Sequence, residues 1–269
     1  EMLRSLVGSE MCIRDRYPDG TSGSTGRMDL RDQIKAVKQI NESAPERQWS
    51  PWSIFVSVTG GESVRYYISD LHFFHEALLT KMDCRGFADC DAMHEYMIRR
   101  WNEKVRPQDE VVILGDVSME RGKKTSEILD RLQGKLYLIV GNHDNYLSDR
   151  RFDPSRFEWI RPYAELHDNG RKVVLSHYPI CCYNGQYRRD KEGNPKTYML
   201  YGHVHDTRDE RLIDHFIKEA EQTVYTGPGS GQLRHIPCQM INCFCMFSDY
   251  TPLTLDEWIE TDRERRRAT

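Results

Sequence analysis

Five times along this chain a short apolar, β-rich run stops on a cluster of Asp, Asn, Gly and His. Val64–Ser69 leads into Asp70-Leu71-His72, and Val111–Leu114 into Gly115-Asp116. Leu136–Val140 leads into Gly141-Asn142-His143-Asp144, Val173–Ser176 into His177, and Met199–Tyr201 into Gly202-His203-Val204-His205. Stretches of helical character alternate with these runs. They are His94–Val105, with Tyr96, Ile98 and Trp101 as its larger members, then Lys124–Leu132, and Glu210–Gln222 after the last cluster. Strands alternating with helices predict an α/β domain whose sheet is buried between helices. Loops at the carboxyl ends of such strands are where α/β folds build active sites. The anchors at 70, 116, 142, 177 and 203 leave room for a helix and a strand in each interval, so successive loops can converge at one sheet edge.

The local spacing predicts how the side chains meet. In extended backbone, residues i and i+2 point the same way, so Asp70 is expected to converge with His72 and His203 with His205. Glycines ahead of Asp116, Asn142 and His203 remove a Cβ where the chain must turn sharply or approach a ligand closely. Together the clusters offer carboxylate, imidazole and amide-oxygen donors and require no thiolate. That set suits Mn²⁺, Fe or Zn²⁺ better than Ca²⁺ or a structural cysteine–zinc site. Asp70, His72, Asp116, Asn142, His177, His203 and His205 are too many ligands for one ion and appropriate for two.

The blocks DLH, GD, GNHD, SH and GHVH, in that order, resemble the calcineurin-like metallophosphoesterase superfamily, whose pattern is D-x-H, G-D, G-N-H-[D/E], H and G-H-x-H. The resemblance spans about Tyr66 to Asp206, and the tail DYTPLTLDEWI (249–259) resembles the end of small bacterial and phage members. It implies a four-layer α/β/β/α sandwich. It also implies that Asp70, His72 and His205 hold one metal ion, that Asn142, His177 and His203 hold the other, and that Asp116 bridges them. Two divalent ions against two ionised aspartates leave a site charge of about +2, suited to hydroxide and phosphate. The implied reaction is hydrolysis of a small phosphomonoester or phosphodiester by a hydroxide shared between the ions. In it His143 is the general acid for the departing alkoxide, and Asp144 orients or charges His143. A phosphodiesterase or nuclease acting on nucleotides or RNA would use the same ligands. A non-catalytic scaffold on this fold would have lost some of them, and none is lost here. One departure stands out. Where protein Ser/Thr phosphatases of the superfamily carry G-D-x-x-D-R-G, this chain reads GDVSMERG, so Arg121 is not matched to their phosphate-binding arginine.

The remaining sequence sets the boundaries. Residues 1–27 are expected to be a non-native or disordered leader, since YPDGTSGSTGR is linker-like and SLVGSEMCIRDR resembles a translated sequencing adapter; Met28 is then the expected start. Residues 28–51 are expected to form a flanking helix (Leu30–Glu42) and a loop bracketed by Pro45 and Pro51. Residues 52–269 form the expected metallophosphoesterase domain, including a strand at Ser53–Val58 and a C-terminal helix from Leu255 whose Arg263–Arg267 suits its dipole. With 38 Lys+Arg against 42 Asp+Glu, the net charge of −4 gives no indication of a nucleic-acid partner. The basic patches at 121–124 and 188–191 are expected to be solvated loops. The apolar runs fall far short of the roughly 20 residues that span a bilayer. No membrane partner is expected, the cytoplasm is the expected compartment, and the eight cysteines, none spaced C-x-x-C, are expected to be reduced thiols. The partner expected is the phosphoester substrate, and the sequence sets no oligomeric state. Phe73 and Phe74 are expected in the core. His75, His94, His167, His215 and His235 are expected on the surface or on helices, with lining the pocket as the alternative for His75, which follows Asp70-Leu71-His72 closely.

Overall fold

Near-continuous apolar runs make strands that must be covered on both faces, and three of the runs read above assemble side by side. They are β1 (Arg65–Ile68), β2 (Glu110–Ile113) and β3 (Lys135–Ile139), paired in parallel with Tyr67 opposite Val112 and Val112 opposite Tyr137. A fourth parallel strand, β4 (Phe157–Arg161), closes the sheet in the order β1-β2-β3-β4. The computed structural model describes residues 63–227 and 231–267. The leader, the helix expected over 30–42 and the strand expected over 53–58 lie outside the described residues.

A second sheet is built from the later half of the chain. β5 (Tyr163–Asp168) and β6 (Arg171–Ser176) form an antiparallel hairpin, and β7 (Thr197–Tyr201) runs parallel to β6. After a separate small hairpin, β8 (Val224–Thr226) with β9 (Leu233–His235), β10 (Met240–Asn242) joins β7 in parallel, giving the order β10-β7-β6-β5. The helices are a single turn, α1 (Ala77–Thr80), then α2 (Cys90–Lys104), α3 (Gly122–Leu129), α4 (Arg208–Gln222) and α5 (Leu255–Arg267).

The two-residue period of the strands sorts their side chains into layers. Tyr66, Ile68, Val111, Ile113, Leu136 and Leu138 pack with Met93, Met97 and Trp101 of α2 and with Ile128 and Leu129 of α3. Their neighbours Tyr67, Val112, Leu114 and Ile139 pack with Val173, Leu175, Tyr198, Leu200 and Ile241 of the second sheet. Val174, Met199, Tyr201 and Met240 pack with Ile217 and Ala220 of α4. The result is helix, sheet, sheet, helix: a four-layer α/β/β/α sandwich.

Three connections bring the functional ends of the two sheets together. The Ser69 amide donates to the Cys243 carbonyl, the Cys245 amide donates to the Ser69 carbonyl, and Trp258 Nε1 of α5 donates to the Tyr67 carbonyl at 2.8 Å. The carboxyl end of β1 therefore lies against the chain leaving β10, which itself runs parallel to β7.

Elsewhere the structure refines the expectations. The basic tail does more than suit a helix dipole. Arg265 Nη2 donates to Glu210 Oε1 of α4 at 2.5 Å and Arg266 Nη1 pairs with Asp214 of α4, which staples α5 to α4, while both arginines also pair with Asp262 of their own helix. His94 is a buried histidine on α2, accepting from the Phe74 amide at 2.8 Å, whereas His167, His215 and His235 are exposed. Phe73 is buried in the first core and Phe74 packs against it. The seven described cysteines are free thiols. No described helix is long and apolar enough to cross a membrane.

Candidate metal centre

All seven candidate ligands follow a strand at its carboxyl end. Asp70 and His72 follow β1, Asp116 follows β2, Asn142 follows β3, His177 follows β6, and His203 and His205 follow β7. Asp70 meets His72 in the cluster by a different backbone from the extended one the spacing suggested. Asp70 (φ 57°), His72 (49°), Asp116 (56°), His203 (71°) and His205 (48°) all occupy the left-handed region. Each such residue other than glycine costs roughly 1–2 kcal/mol, and strain of this kind persists only where the surroundings over-determine it. The alternation of strand side chains ends before the ligands begin, and single left-handed turns aim them inward.

Two of the glycines show why no side chain fits here. A Cβ on Gly115, itself at φ +91°, would lie 2.5 Å from His177 Nδ1. On Gly141 it would lie 2.2 Å from Asp116 Oδ1 and 2.4 Å from the Asp116 nitrogen.

The ligand atoms gather in two groups. Asp70, His72 and His205 offer atoms within 4.8 Å of one another, and so do Asp116, His177 and His203. In the first group His72 Nε2 and His205 Nε2 face each other at 3.1 Å, with Asp70 Oδ1 3.6 Å from His205 Nε2. In the second, His177 Nε2 is 2.9 Å from Asn142 Oδ1. Asp116 links the groups, its Oδ2 standing 3.5 Å from both His72 Nε2 and His177 Nε2. Backbone amides fix both carboxylates: His203 N–H donates to both oxygens of Asp70 at 3.0 and 3.1 Å, and His143 N–H donates to Asp116 Oδ1 at 2.8 Å.

The donor chemistry fits divalent cations. His177 Nδ1 lies 2.8 Å from the Leu114 carbonyl and His205 Nδ1 lies 2.7 Å from Asp83 Oδ1, which places the proton of each neutral ring on Nδ1. Each Nε2 then presents a lone pair to carboxylate or amide oxygens, and a cation resolves that convergence of acceptors. The carboxylates call for positive charge at this point. Burial opposes charge on both His177 and Asp116, yet their attraction raises His177 to about 9, so that without a cation a proton on its ring answers Asp116, and it holds Asp116 well below the usual carboxylate range. Burial, with His177 nearby, pushes His203 down to about 4, and burial lowers His72 as well.

Around this cluster stand the groups with no place in the ligand set. His143 is half-buried, its ring 5.4 Å from that of His72 and 6.5 Å from that of His75. Asp144 is directed at the backbone: its carboxylate accepts from the amides of Gly141 (2.7 Å), Val117 (2.8 Å) and Asp116 (3.1 Å). It thereby fixes the turn that carries Asn142 and His143, and no described hydrogen bond joins it to the His143 ring. Arg121 is exposed at the start of α3. Three neighbours were not singled out from the sequence. Tyr178 is 47% exposed with its ring 4.4 Å from that of His203, and Asp83 and Arg85 are buried behind His205. Tyr178 sits beside a ligand and could have been found by adjacency, whereas MDCRGF carries no metal or catalytic spacing.

The chain is similar to several known proteins. An uncharacterised protein of Methanocaldococcus jannaschii is 32% identical over 142 residues, covering 52% of this chain and 68% of that protein. The Gene 66 protein of Mycobacterium phage D29 is 31% identical over 164 residues, covering 52% of this chain and 77% of its own. Among solved structures, a protein of unknown function from Aquifex aeolicus aligns with a TM-score of 0.49 at 22% identity, over 73% of this chain and 97% of its own. Vacuolar protein sorting 29 from Cryptosporidium parvum aligns with a TM-score of 0.30 at 16% identity, over 66% of this chain and 74% of its own. The family described as the calcineurin-like phosphoesterase superfamily domain matches residues 66–245, from the second residue of β1 to just beyond β10. That match takes in every candidate ligand and more than half of the sequence, and the chain belongs to the calcineurin-like phosphoesterase superfamily.

Proposed function

We propose that this protein hydrolyses small phosphomonoesters or phosphodiesters with two divalent ions, Mn²⁺, Fe or Zn²⁺, seated in the two ligand groups. The observation that carries this reading is Asp116, whose single carboxylate oxygen stands 3.5 Å from a histidine of each group. Asp70, His72 and His205 would hold one ion, Asn142, His177 and His203 the other, and Asp116 both. Bound there, the ions supply Lewis-acid charge for the phosphoryl oxygens and lower the pKa of water.

The chain's own groups do the rest. The left-handed turns and the amide bonds to Asp70 and Asp116 hold the ligands before any ion arrives, so little reorganisation accompanies binding. His143, half-buried beside His72, supplies the proton that the leaving oxygen takes. Asp144 holds the backbone that presents it. One observation favours a nucleotide-directed phosphodiesterase within this class: the half-exposed Tyr178 ring beside His203 offers a flat surface on which a base can stack. The full ligand set argues against a non-catalytic scaffold, and the free thiols suit the reducing cytoplasm.

A turnover panel tests this reading. Phosphomonoesters, phosphodiesters and cyclic nucleotides are each assayed with Mn²⁺ and with a chelator. At least one class is expected to turn over with Mn²⁺ and to stop with chelator. Equal rates in both conditions, or no turnover of any class, would contradict it.

A further inference from the structure

Asp83 belongs to none of the five blocks, yet the chain goes to some lengths to bury it. Met82 (φ 50°) and Cys84 (φ 49°) both adopt left-handed backbone on either side of it, and neither is glycine. Met82 is 70% exposed and Cys84 is exposed, while the Asp83 carboxylate between them is 2% exposed. A buried carboxylate reached through two strained residues requires strong partners.

It has them on both oxygens. Oδ1 accepts from His205 Nδ1 at 2.7 Å, and Oδ2 accepts from Arg85 Nε at 3.1 Å. The fully buried Arg85 guanidinium continues to the Leu71 carbonyl (2.7 Å) and the Asp70 carbonyl (2.9 Å), the backbone that carries Asp70 and His72. Phe244 stacks on the His205 ring at 4.6 Å and 24°. The ring is thus held in its plane by Phe244 and in its rotation by Asp83. Its proton is fixed on Nδ1, so Nε2 faces the ligand cluster. Among the described residues the other group has no such strap. Behind His177 stands the neutral Leu114 carbonyl, and His203 packs on the half-exposed Tyr178.

We propose that Asp83, tied down by Arg85, is a positioning residue that selectively raises the divalent-ion affinity of the Asp70/His72/His205 site. The inference rests on the two-ion reading above. A carboxylate behind a metal-binding histidine orients the ring and makes it a better donor, and losing such a partner typically weakens metal binding about 10–100-fold.

The test is a calorimetric titration of the chelator-stripped chain with Mn²⁺, comparing wild type with Asp83→Asn, which keeps the shape and removes the charge. Wild type is expected to take up two ions. In Asp83→Asn one of the two affinities is expected to fall about 10–100-fold while the other is unchanged, and Cys84→Ser in the same turn is expected to keep both. Circular dichroism reports whether the variant folds. If Asp83→Asn does not, Asp83→Glu, which keeps the charge but displaces it, is expected to weaken the same single site by a smaller factor. Two wild-type affinities in a folded Asp83 variant, or equal losses at both sites, would overturn the proposal and leave the two-ion reading standing. A wild-type chain that takes up no Mn²⁺ would remove that reading and the proposal with it.

Discussion

Gly141→Ala is expected to lower phosphoester turnover at least about 100-fold, because misplacing reacting groups by even 1 Å carries a loss of that order. The added Cβ would fall 2.2 Å from Asp116 Oδ1 and 2.4 Å from its backbone nitrogen, so Asp116 or the Gly141 turn must shift. Neither can move alone. Asp116 Oδ1 holds the His143 amide, its Oδ2 faces a histidine of each group, and the Gly141 amide is tied to Asp144. Gly170→Ala provides the contrast, since nothing lies within 4 Å of its Cβ position. At φ +74° it is expected to cost about 1–2 kcal/mol of stability and to leave turnover unchanged. Steady-state rates at saturating Mn²⁺ decide the matter, and near-wild-type turnover in Gly141→Ala would show that Asp116 need not stand where it does.

His143→Ala should slow the hydrolysis of alkyl phosphoesters by about 10²–10⁴-fold, the usual contribution of a positioned general acid. Aryl esters with good leaving groups need little help from a proton donor and should slow much less. The geometry motivates this split. The His143 amide is fixed on Asp116, yet the residue stays half-buried with its ring 5.4 Å from that of His72, where a leaving oxygen can reach it. Its ring also lies within 6.5 Å of the His75 ring, so any activity left in His143→Ala should be lower still in the double variant with His75→Ala. A uniform loss across alkyl and aryl esters would assign His143 to holding the turn instead, as Asp144 does.

The parts of the fold that could be read from sequence are those where a local pattern and a tertiary demand coincide. β1, β2, β3, β6 and β7 are apolar runs with turn signals at their ends, and all five lead into candidate ligands. β4, β5 and β10 went unread for physical reasons. FEWIR and YAELHD interleave charged residues because β4 and β5 are edge strands with partly exposed faces, and Met240–Asn242 is only three residues long. α2 begins four residues before the helix read from His94, since Asp89 caps the nitrogen of Ala92 and Met93 is the one large apolar residue of the first turn.

At the candidate site, the identity and order of the candidate ligands are legible because they sit in short blocks of contiguous sequence. What supports those ligands was not. Asp144 looks like a partner for the adjacent His143, but its three bonds run to the backbone of residues 116, 117 and 141. Asp83 meets His205 across 122 positions of sequence. Contacts of that range follow from the packing of the two sheets, and no local period records them. The left-handed backbone of five candidate ligands is likewise invisible in a sequence that places Asp and His, not Gly, at those positions.

The most direct test of the proposed two-metal centre is to count ions. Wild-type protein stripped with chelator and dialysed against Mn²⁺ is expected to retain two ions per chain and to regain phosphoester turnover. Asp116→Ala, lacking the carboxylate shared by both groups, is expected to lose affinity at both sites together. A wild-type chain that holds one ion or none, or an Asp116→Ala variant that still holds two with full turnover, would contradict the account.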